Sequence, residues 1–130
     1  MAKRPASDTI AAIATAPGTG GIGIVRISGP EAPATLRRVF VPRRPLDRFT
    51  SHQLYYGTVI APDGQPLDEA LAVHMHAPHT YTREAAVELH CHGSYLVLQE
   101  VLRNVLPLGV PTAEQGEFTK RAFLAGRIDL

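Results

Sequence analysis

The segment AVELHCHGSYLVLQEVLRNV, residues 86–105, changes its hydrophobic period halfway along, and this change decides the fold class. In residues 86–92 apolar and polar side chains alternate, which is the period of a strand with one buried face. After Gly93 the apolar residues recur at i, i+3, i+4 and i+7, as in an amphipathic helix that ends before Pro107. A domain that contains both strands and helices is therefore predicted.

Outward from this segment, the sequence predicts further strands and short helices. The predicted strands cover residues 9–15, 22–28, 52–60 and 67–75, and the predicted helices cover residues 31–40 and a region after Thr112. Residues 42–48 read as a connector rich in proline and arginine. Pro62, Asp63 and Gly64 predict a hairpin turn, which requires antiparallel pairing. The irregular mixture predicts an α+β domain with a mixed or antiparallel sheet and packed helices.

The composition is that of one soluble globular domain. The chain has 130 residues, of which 45% are hydrophobic and 19% are charged, and no apolar run approaches the roughly 20 residues needed to span a bilayer. The single cysteine excludes an intrachain disulfide and favours a cytosolic protein. A net charge of +1 argues against a dedicated nucleic-acid-binding module but leaves a local basic patch open.

The glycine-rich run GTGGIG, residues 18–23, matches the letters of a dinucleotide-binding fingerprint and follows a predicted strand. That fingerprint requires a helix next, whereas Ile24, Val25 and Ile27 predict a strand, so a dinucleotide site is not expected. No lysine and hydroxyl residue follow the run, which excludes a phosphate loop. Two interpretations stay open: a simple connection, or a loop that lets a ligand approach the backbone.

Five histidines and one cysteine raise the question of metal binding or nucleophilic chemistry. Of the six histidines in the chain, these five are His74, His76, His79, His90 and His92. Two pairs on neighbouring strands could hold a metal and act as a hydrolase, although hydrogen-bonded surface histidines are the simpler expectation. The strand period places Cys91 on the apolar face, which predicts a buried, unreactive thiol.

Arg26 and Glu88 are charged residues inside predicted strands. An unpaired charge in such a place carries a large desolvation cost, so each needs a partner. Either the two pair with each other or with local groups, or both line a ligand pocket. In the pocket, Glu88 would accept hydrogen bonds from an amidine-like edge and Arg26 would bind an anionic or carbonyl group.

An arginine-rich segment lies between the first predicted helix and the hairpin. It contains Arg37, Arg38, Arg43, Arg44 and Arg48, with only Asp47 opposing them. A patch that contacts phosphates is one interpretation. A solvated face is the one we expect, and it predicts RNA binding that is weak and falls steeply with salt.

Three ordered blocks carry a resemblance to a known family. They are DTIAAIATAPGTGGIGIVRISGP (8–30), PHTYTRE leading into VELHCHG (78–93), and GEFTKRAFLAGRIDL (116–130). Together they resemble the N-terminal domain of the bacterial tRNA modification GTPases of the MnmE (TrmE) family. The resemblance implies a fold like the folate-binding domain of the glycine-cleavage T-protein. It further implies that residues 1–130 form a single domain that binds folate and homodimerises, with the helical and GTPase domains lying outside this chain.

The resemblance also implies a cytoplasmic role in tRNA modification. The full-length protein would hydrolyse GTP, with GTP, Mg²⁺ and K⁺ bound in the domains absent here, and this domain would not itself be catalytic. With the FAD-bearing partner MnmG it would modify the wobble uridine of certain tRNAs. The one-carbon source would be 5-formyl- or 5,10-methylene-tetrahydrofolate.

The site residues implied by the resemblance are Arg26, Glu88 and Arg127, which would contact the folate. Arg127 stands where many relatives have lysine, so the charge is kept while a forked contact becomes possible. Pocket-lining positions would be Gly20, Gly21, His90 and His92, and no metal is expected. The alternatives are a dimerisation module with a vestigial folate site, and the histidine-based metal hydrolase described above.

Overall fold

The computed structural model describes residues 9–14, 22–78, 80, 82–92, 94–105 and 117–118. Within these ranges the chain forms six strands, which are three to ten residues long, and two helices, which are eight and eleven residues long. In chain order they are β1 (Ile10–Ile13), β2 (Gly23–Ser28), α1 (Ala32–Val39), β3 (Phe40–Pro42), β4 (Leu54–Ile60), β5 (Pro66–Met75), β6 (Ala86–Cys91) and α2 (Tyr95–Val105). The predicted α+β class is confirmed.

The six strands form one sheet in the order β1-β2-β6-β5-β4-β3, and every neighbouring pair is antiparallel. Of the two predicted arrangements, the structure therefore has the antiparallel one. Strand β6 belongs to the second sequence block and lies between β2 and β5. It therefore pairs directly with β2, which belongs to the first block. This pairing sets Arg26 opposite Glu88.

The helices α1 and α2 cover one face of the sheet, and the core lies between them and the strands. The side chains larger than alanine that have no exposed surface in this layer are Val25, Ile27, Leu36, Val87, Leu89, Cys91 and Val105. Fully burying an aliphatic side chain contributes about 1.5–3 kcal/mol, so this layer dominates the stabilisation of the fold. We call the other side of the sheet the open face; Arg26, Glu88 and His90 alternate with the core residues and lie on it.

The predicted burial of Cys91 is confirmed, since its side chain has no exposed surface and is a free thiol. Burial raises the pKa of the Cys91 thiol to about 12, and the nearby Asp68 carboxylate adds to this effect. The thiolate is the reactive form of cysteine, so Cys91 is unreactive at neutral pH.

The sequence does not predict β3, because it predicts a helix over residues 31–40 and a connector over residues 42–48. The helix instead ends at Val39, and Phe40–Pro42 pairs with β4 at the edge of the sheet. Three residues are too few to show a period, and an edge strand tolerates a proline. Opposite them, a Cβ on Gly57 would overlap the Val41 carbonyl oxygen and the Phe40 ring.

The predicted hairpin is confirmed as β4 and β5, joined by a turn at residues 61–65. Gly64 has a φ of 85° there, which glycine adopts without steric cost. Strand β4 begins at Leu54 rather than at residue 52, because His52 has a φ of 63° and cannot continue an extended strand.

Two predicted regions lie largely outside the described residues. Gly20 and Gly21 belong to the glycine-rich run, which is not described. Of the last predicted helix only Glu117 and Phe118 are described, and both are helical. No helix among the described residues is long and apolar enough to cross a membrane.

Candidate ligand-binding site

Arg26 and Glu88 form an ion pair on the open face, where the register of β2 and β6 makes them direct neighbours. The Arg26 Nε donates to Glu88 Oε2 at 2.9 Å, and Arg26 Nη2 lies 2.8 Å from the same oxygen. The first of the two predicted arrangements, mutual pairing, is therefore present. Pairing satisfies both charges in the absence of a ligand.

The second oxygen of Glu88 is also bonded, because His90 lies two residues along the same strand and on the same face. His90 Nε2 is 2.9 Å from Glu88 Oε1. The exposed fractions are 30% for the Arg26 side chain, 15% for Glu88 and 24% for His90. We call these three residues the charged cluster; its partial burial reduces screening by salt.

Phe118 joins the charged cluster from the third sequence block. The Arg26 Cζ lies 5.5 Å from the centroid of the Phe118 ring, within the range of a cation–π interaction. Arg26 belongs to the first block and Glu88 and His90 to the second, so side chains from all three blocks meet here. Sequence reasoning missed Phe118, whose only signal is an aromatic residue within a recognised block.

A network of hydroxyl groups lies beside the cluster and is centred on Ser28, two residues after Arg26 in β2. Ser28 has no exposed surface; its Oγ donates to Glu84 Oε1 at 2.8 Å and lies 2.7 Å from Thr82 Oγ1. Because the single Ser28 hydroxyl proton goes to Glu84, Thr82 donates to Ser28. Thr80 Oγ1 donates to the Glu84 carbonyl oxygen at 2.7 Å. These bonds hold the beginning of the second block, which contains Thr80, Thr82 and Glu84, against Ser28 of β2.

The lone pairs of Glu88 determine what the cluster can bind. Oε2 accepts two N–H groups of Arg26, and Oε1 interacts with His90. A carboxylate has about four acceptor positions, so a ligand with two adjacent N–H donors must replace at least one existing contact. Rotation of the Arg26 side chain would supply that position while Arg26 remains available to an anionic group.

The other predicted site residues differ in their placement. Gly20, Gly21 and Arg127 lie outside the described residues. His92 is exposed and tied to β5: its backbone N–H donates to Asp68 Oδ2 at 2.9 Å, and its Nδ1 is 3.2 Å from the Glu69 carbonyl oxygen. Of the predicted residues, the structure brings together Arg26, Glu88 and His90.

The two histidine pairs considered for metal binding do not meet. The rings of His74 and His76 are 4.2 Å apart between centroids. His74 pairs with Val87 in the sheet and lies on the helix side, whereas His90 lies on the open face. No group of three or more metal-ligating side chains occurs among the described residues. The hydrolase alternative therefore has no support from this arrangement.

Comparison with known proteins gives the family. The family model described as "GTP-binding protein TrmE N-terminus" matches residues 9–127. The chain is 56% identical over 124 residues to a tRNA modification GTPase MnmE of Desulfotalea psychrophila, and 58% identical over 124 residues to one of Geobacter sulfurreducens. Each match covers 95% of this chain and 27% of the relative, so the chain spans about a quarter of their length. The expected resemblance is thus confirmed, and the chain belongs to the TrmE N-terminal family.

Proposed function

We propose that this chain is the folate-binding and homodimerising N-terminal part of a tRNA-modifying GTPase, with a fold like the folate-binding domain of the glycine-cleavage T-protein. The observation that carries the proposal is the charged cluster with Phe118, where the three recognised sequence blocks meet on the open face. Residues that serve only folding need no such convergence of charged groups outside the core.

The chemistry of a reduced folate fits this cluster. Its pterin ring has an amino-pyrimidinone edge with adjacent N–H donors, which a carboxylate such as Glu88 can accept as a fork. His90 holds that carboxylate in position. Arg26, and Arg127 from the third block, would bind oxygen-rich parts of the ligand, and Gly20, Gly21 and His92 would lie around it. The ligand would be 5-formyl- or 5,10-methylene-tetrahydrofolate.

Calorimetric titration with 5-formyltetrahydrofolate tests the site. Glu88→Gln keeps the shape but removes the charge, and a hydrogen bond to a charged group contributes about 1.5–3 kcal/mol. We expect the variant to bind at least about tenfold more weakly than the parent. Glu100→Gln is the matched control, because Glu100 pairs with Arg103 on the exposed side of α2. A parent that releases no heat, or a Glu88→Gln variant that binds like the parent, would contradict the site.

Homodimerisation is supported by apolar side chains on the open face. Val41 and Leu54 are each about half exposed, at 49% and 50%, and Tyr56 is 37% exposed. A second copy of the chain would cover them. Sedimentation should therefore give a dimer for the parent and a monomer for Leu54→Glu. Leu96→Glu, on α2 at the other side of the sheet, should remain dimeric although Leu96 is 74% exposed. A monomeric parent would contradict this part of the proposal.

A dimerisation module with a vestigial site is the second candidate. It is favoured by the fact that both oxygens of Glu88 already have partners within the chain. The two candidates differ in one result: a dimer that releases no heat with 5-formyltetrahydrofolate would support the second.

In the whole protein, we propose that the bound folate supplies one carbon to the wobble uridine of certain tRNAs in the cytoplasm. MnmG with its FAD would be the partner, and the domains outside this chain would bind GTP, Mg²⁺ and K⁺. Glu88→Gln in the full-length protein should lower the amount of modified wobble uridine, measured by mass spectrometry of tRNA nucleosides. GTP hydrolysis should be unchanged, because the change lies in a different domain.

A further inference from the structure

Arg26 has more hydrogen-bond donors than its partners in the described residues use. A guanidinium group has five N–H donors, and Arg26 directs one on Nε and one on Nη2 to the same oxygen of Glu88. The contact with Phe118 uses no particular donor, because the cation lies over the face of a ring. Three N–H donors of Arg26 therefore have no acceptor in the part of the chain that the structure describes.

These donors belong to a side chain that is only 30% exposed. Glu88 stands opposite Arg26 in β6, and Ala12 stands opposite it in β1. The methyl group of Ala12 offers no acceptor on that side. A partly buried donor gains more from an acceptor than a fully solvated one does, so the unused edge of Arg26 suits an anionic or carbonyl oxygen of a ligand.

Arg26 is held from two directions. On one side, Glu88 accepts its inner N–H groups, and His90 Nε2 lies 2.9 Å from the second Glu88 oxygen, which restrains the carboxylate. On the other side, the Phe118 ring centroid lies 5.5 Å from the Arg26 Cζ. The guanidinium is thus placed by side chains of the second and third sequence blocks.

A role in the core does not account for Phe118. Its side chain is half-buried, and it belongs neither to the core cluster nor to the apolar residues packed against that cluster. Phe49 is different: its ring centroid lies 5.8 Å from the Arg37 Cζ, but its side chain is 5% exposed and is part of the core. The Phe118 ring instead lies at a charged residue of the open face.

The physics of the ring contact differs from that of the ion pair. A cation is attracted to the face of an aromatic ring as a whole, whereas a hydrogen bond ties one N–H group to one acceptor. Arg26 can therefore turn N–H groups from Glu88 towards a ligand while its guanidinium stays over the Phe118 ring. Without the ring, a released Arg26 would have to be ordered again on binding, at a cost in side-chain entropy.

We infer that Phe118 is a positioning residue of the ligand site: its ring holds the Arg26 guanidinium over the open face, where the unused N–H donors meet an anionic or carbonyl oxygen of the ligand. The inference rests on the folate-binding function proposed above. It adds the requirement that the affinity for folate depends on an aromatic ring that needs no contact with the ligand itself.

Calorimetric titration of Phe118 variants with 5-formyltetrahydrofolate tests the inference. Phe118→Leu keeps an apolar side chain but removes the aromatic face, so it should bind about three- to tenfold more weakly than the parent. Phe118→Tyr keeps the aromatic face and should bind within about twofold of the parent. Phe49→Leu is the matched control, because it makes the same change beneath Arg37 and should leave the affinity for folate close to that of the parent.

NMR of the Arg26 Nε–H group provides a second measurement, which needs no ligand. The resonance is assigned by its loss in Arg26→Lys. In Phe118→Leu it should shift, because the ring current is removed, and its exchange with water should accelerate, because Arg26 is less restrained. Phe118→Tyr should restore the slow exchange. In Phe49→Leu, a loss of core packing alone should leave this resonance in place.

Three results would overturn the inference. If Phe118→Leu binds folate like the parent while Glu88→Gln binds more weakly, the proposed function stands and Phe118 has no part in the site. If Phe118→Leu and Phe118→Tyr, or Phe118→Leu and Phe49→Leu, lose affinity equally, the cause is a loss of packing and not of the aromatic face. If the parent itself releases no heat, the proposed function and this inference are both contradicted.

Discussion

At the scale of single residues, His74 shows how a polar side chain is affected by its position at the end of a core strand. It lies on the helix side of β5, with its ring 4.2 Å from that of His76. Burial lowers the pKa of His74, and the neighbouring His76 and Arg37 add to the effect. The neutral imidazole is therefore the form that the folded protein favours.

This lowered pKa predicts that acid destabilises the fold. Below about pH 6.5 the unfolded chain protonates His74 before the folded chain does, so the free energy of unfolding falls until the pH reaches the lowered folded pKa. In His74→Gln the decrease in melting temperature between pH 7.5 and pH 5.5 should be smaller than in the parent. An unchanged profile in His74→Gln would contradict the assignment.

The charged cluster shows what sequence reasoning can find among single residues. A charge inside an apolar strand needs a partner, which was enough to single out Arg26 and Glu88. The sequence does not predict that Arg26 and Glu88 are direct neighbours, because they are 62 positions apart and the register of β2 on β6 depends on long-range packing. Phe118 was missed for the same reason: no local period connects it to Arg26.

At the scale of elements, the strands and helices with a clear period were predicted within a few residues, whereas β3 was missed. The edge of the sheet at β3 depends on a close approach between backbones rather than on a pattern. Gly57 of β4 has no side chain, and this leaves room for Phe40 and the carbonyl oxygen of Val41. A sequence period cannot report such a contact, because it lies between residues distant in the chain.

Gly57→Ala should therefore loosen β3 from β4. The added Cβ would meet backbone as well as the Phe40 ring, and overpacking of this kind costs about 1–3 kcal/mol of the free energy of unfolding. Urea denaturation measures the loss. Hydrogen exchange of the Arg43 amide, which donates to Tyr56, should accelerate more than that of amides in β6. Equal acceleration in both strands would show a global effect instead.

At the scale of the whole molecule, the sheet ties together parts of the chain that are far apart in sequence. Strand β6 lies between β2 and β5, and α2 packs across β1, β2 and β5. One core cluster extends from Ala11 to Val105. The elements that share this core should therefore unfold as one cooperative unit, apart from local opening at the edge strand β3.

Cys91 provides a probe of this cooperativity. Its thiol should not react with an aromatic disulfide reagent at pH 8 in the folded protein, because it is buried and its pKa is raised to about 12. In increasing urea, the fraction of rapidly labelled thiol and the loss of circular dichroism should share one midpoint. Labelling that precedes the loss of secondary structure would show that the sheet opens locally first.

The ion pair between Arg26 and Glu88 has a consequence for selectivity, because Arg26 acts as an internal competitor for the carboxylate. The Glu88 carboxylate is neutralised from within the chain, since Arg26 Nη2 lies 2.8 Å from its Oε2. At the ligand site proposed above, a bound molecule would therefore need donors that compete with a guanidinium already in contact with Glu88. Under that proposal, the ion pair itself would favour molecules with two adjacent donors over molecules with one.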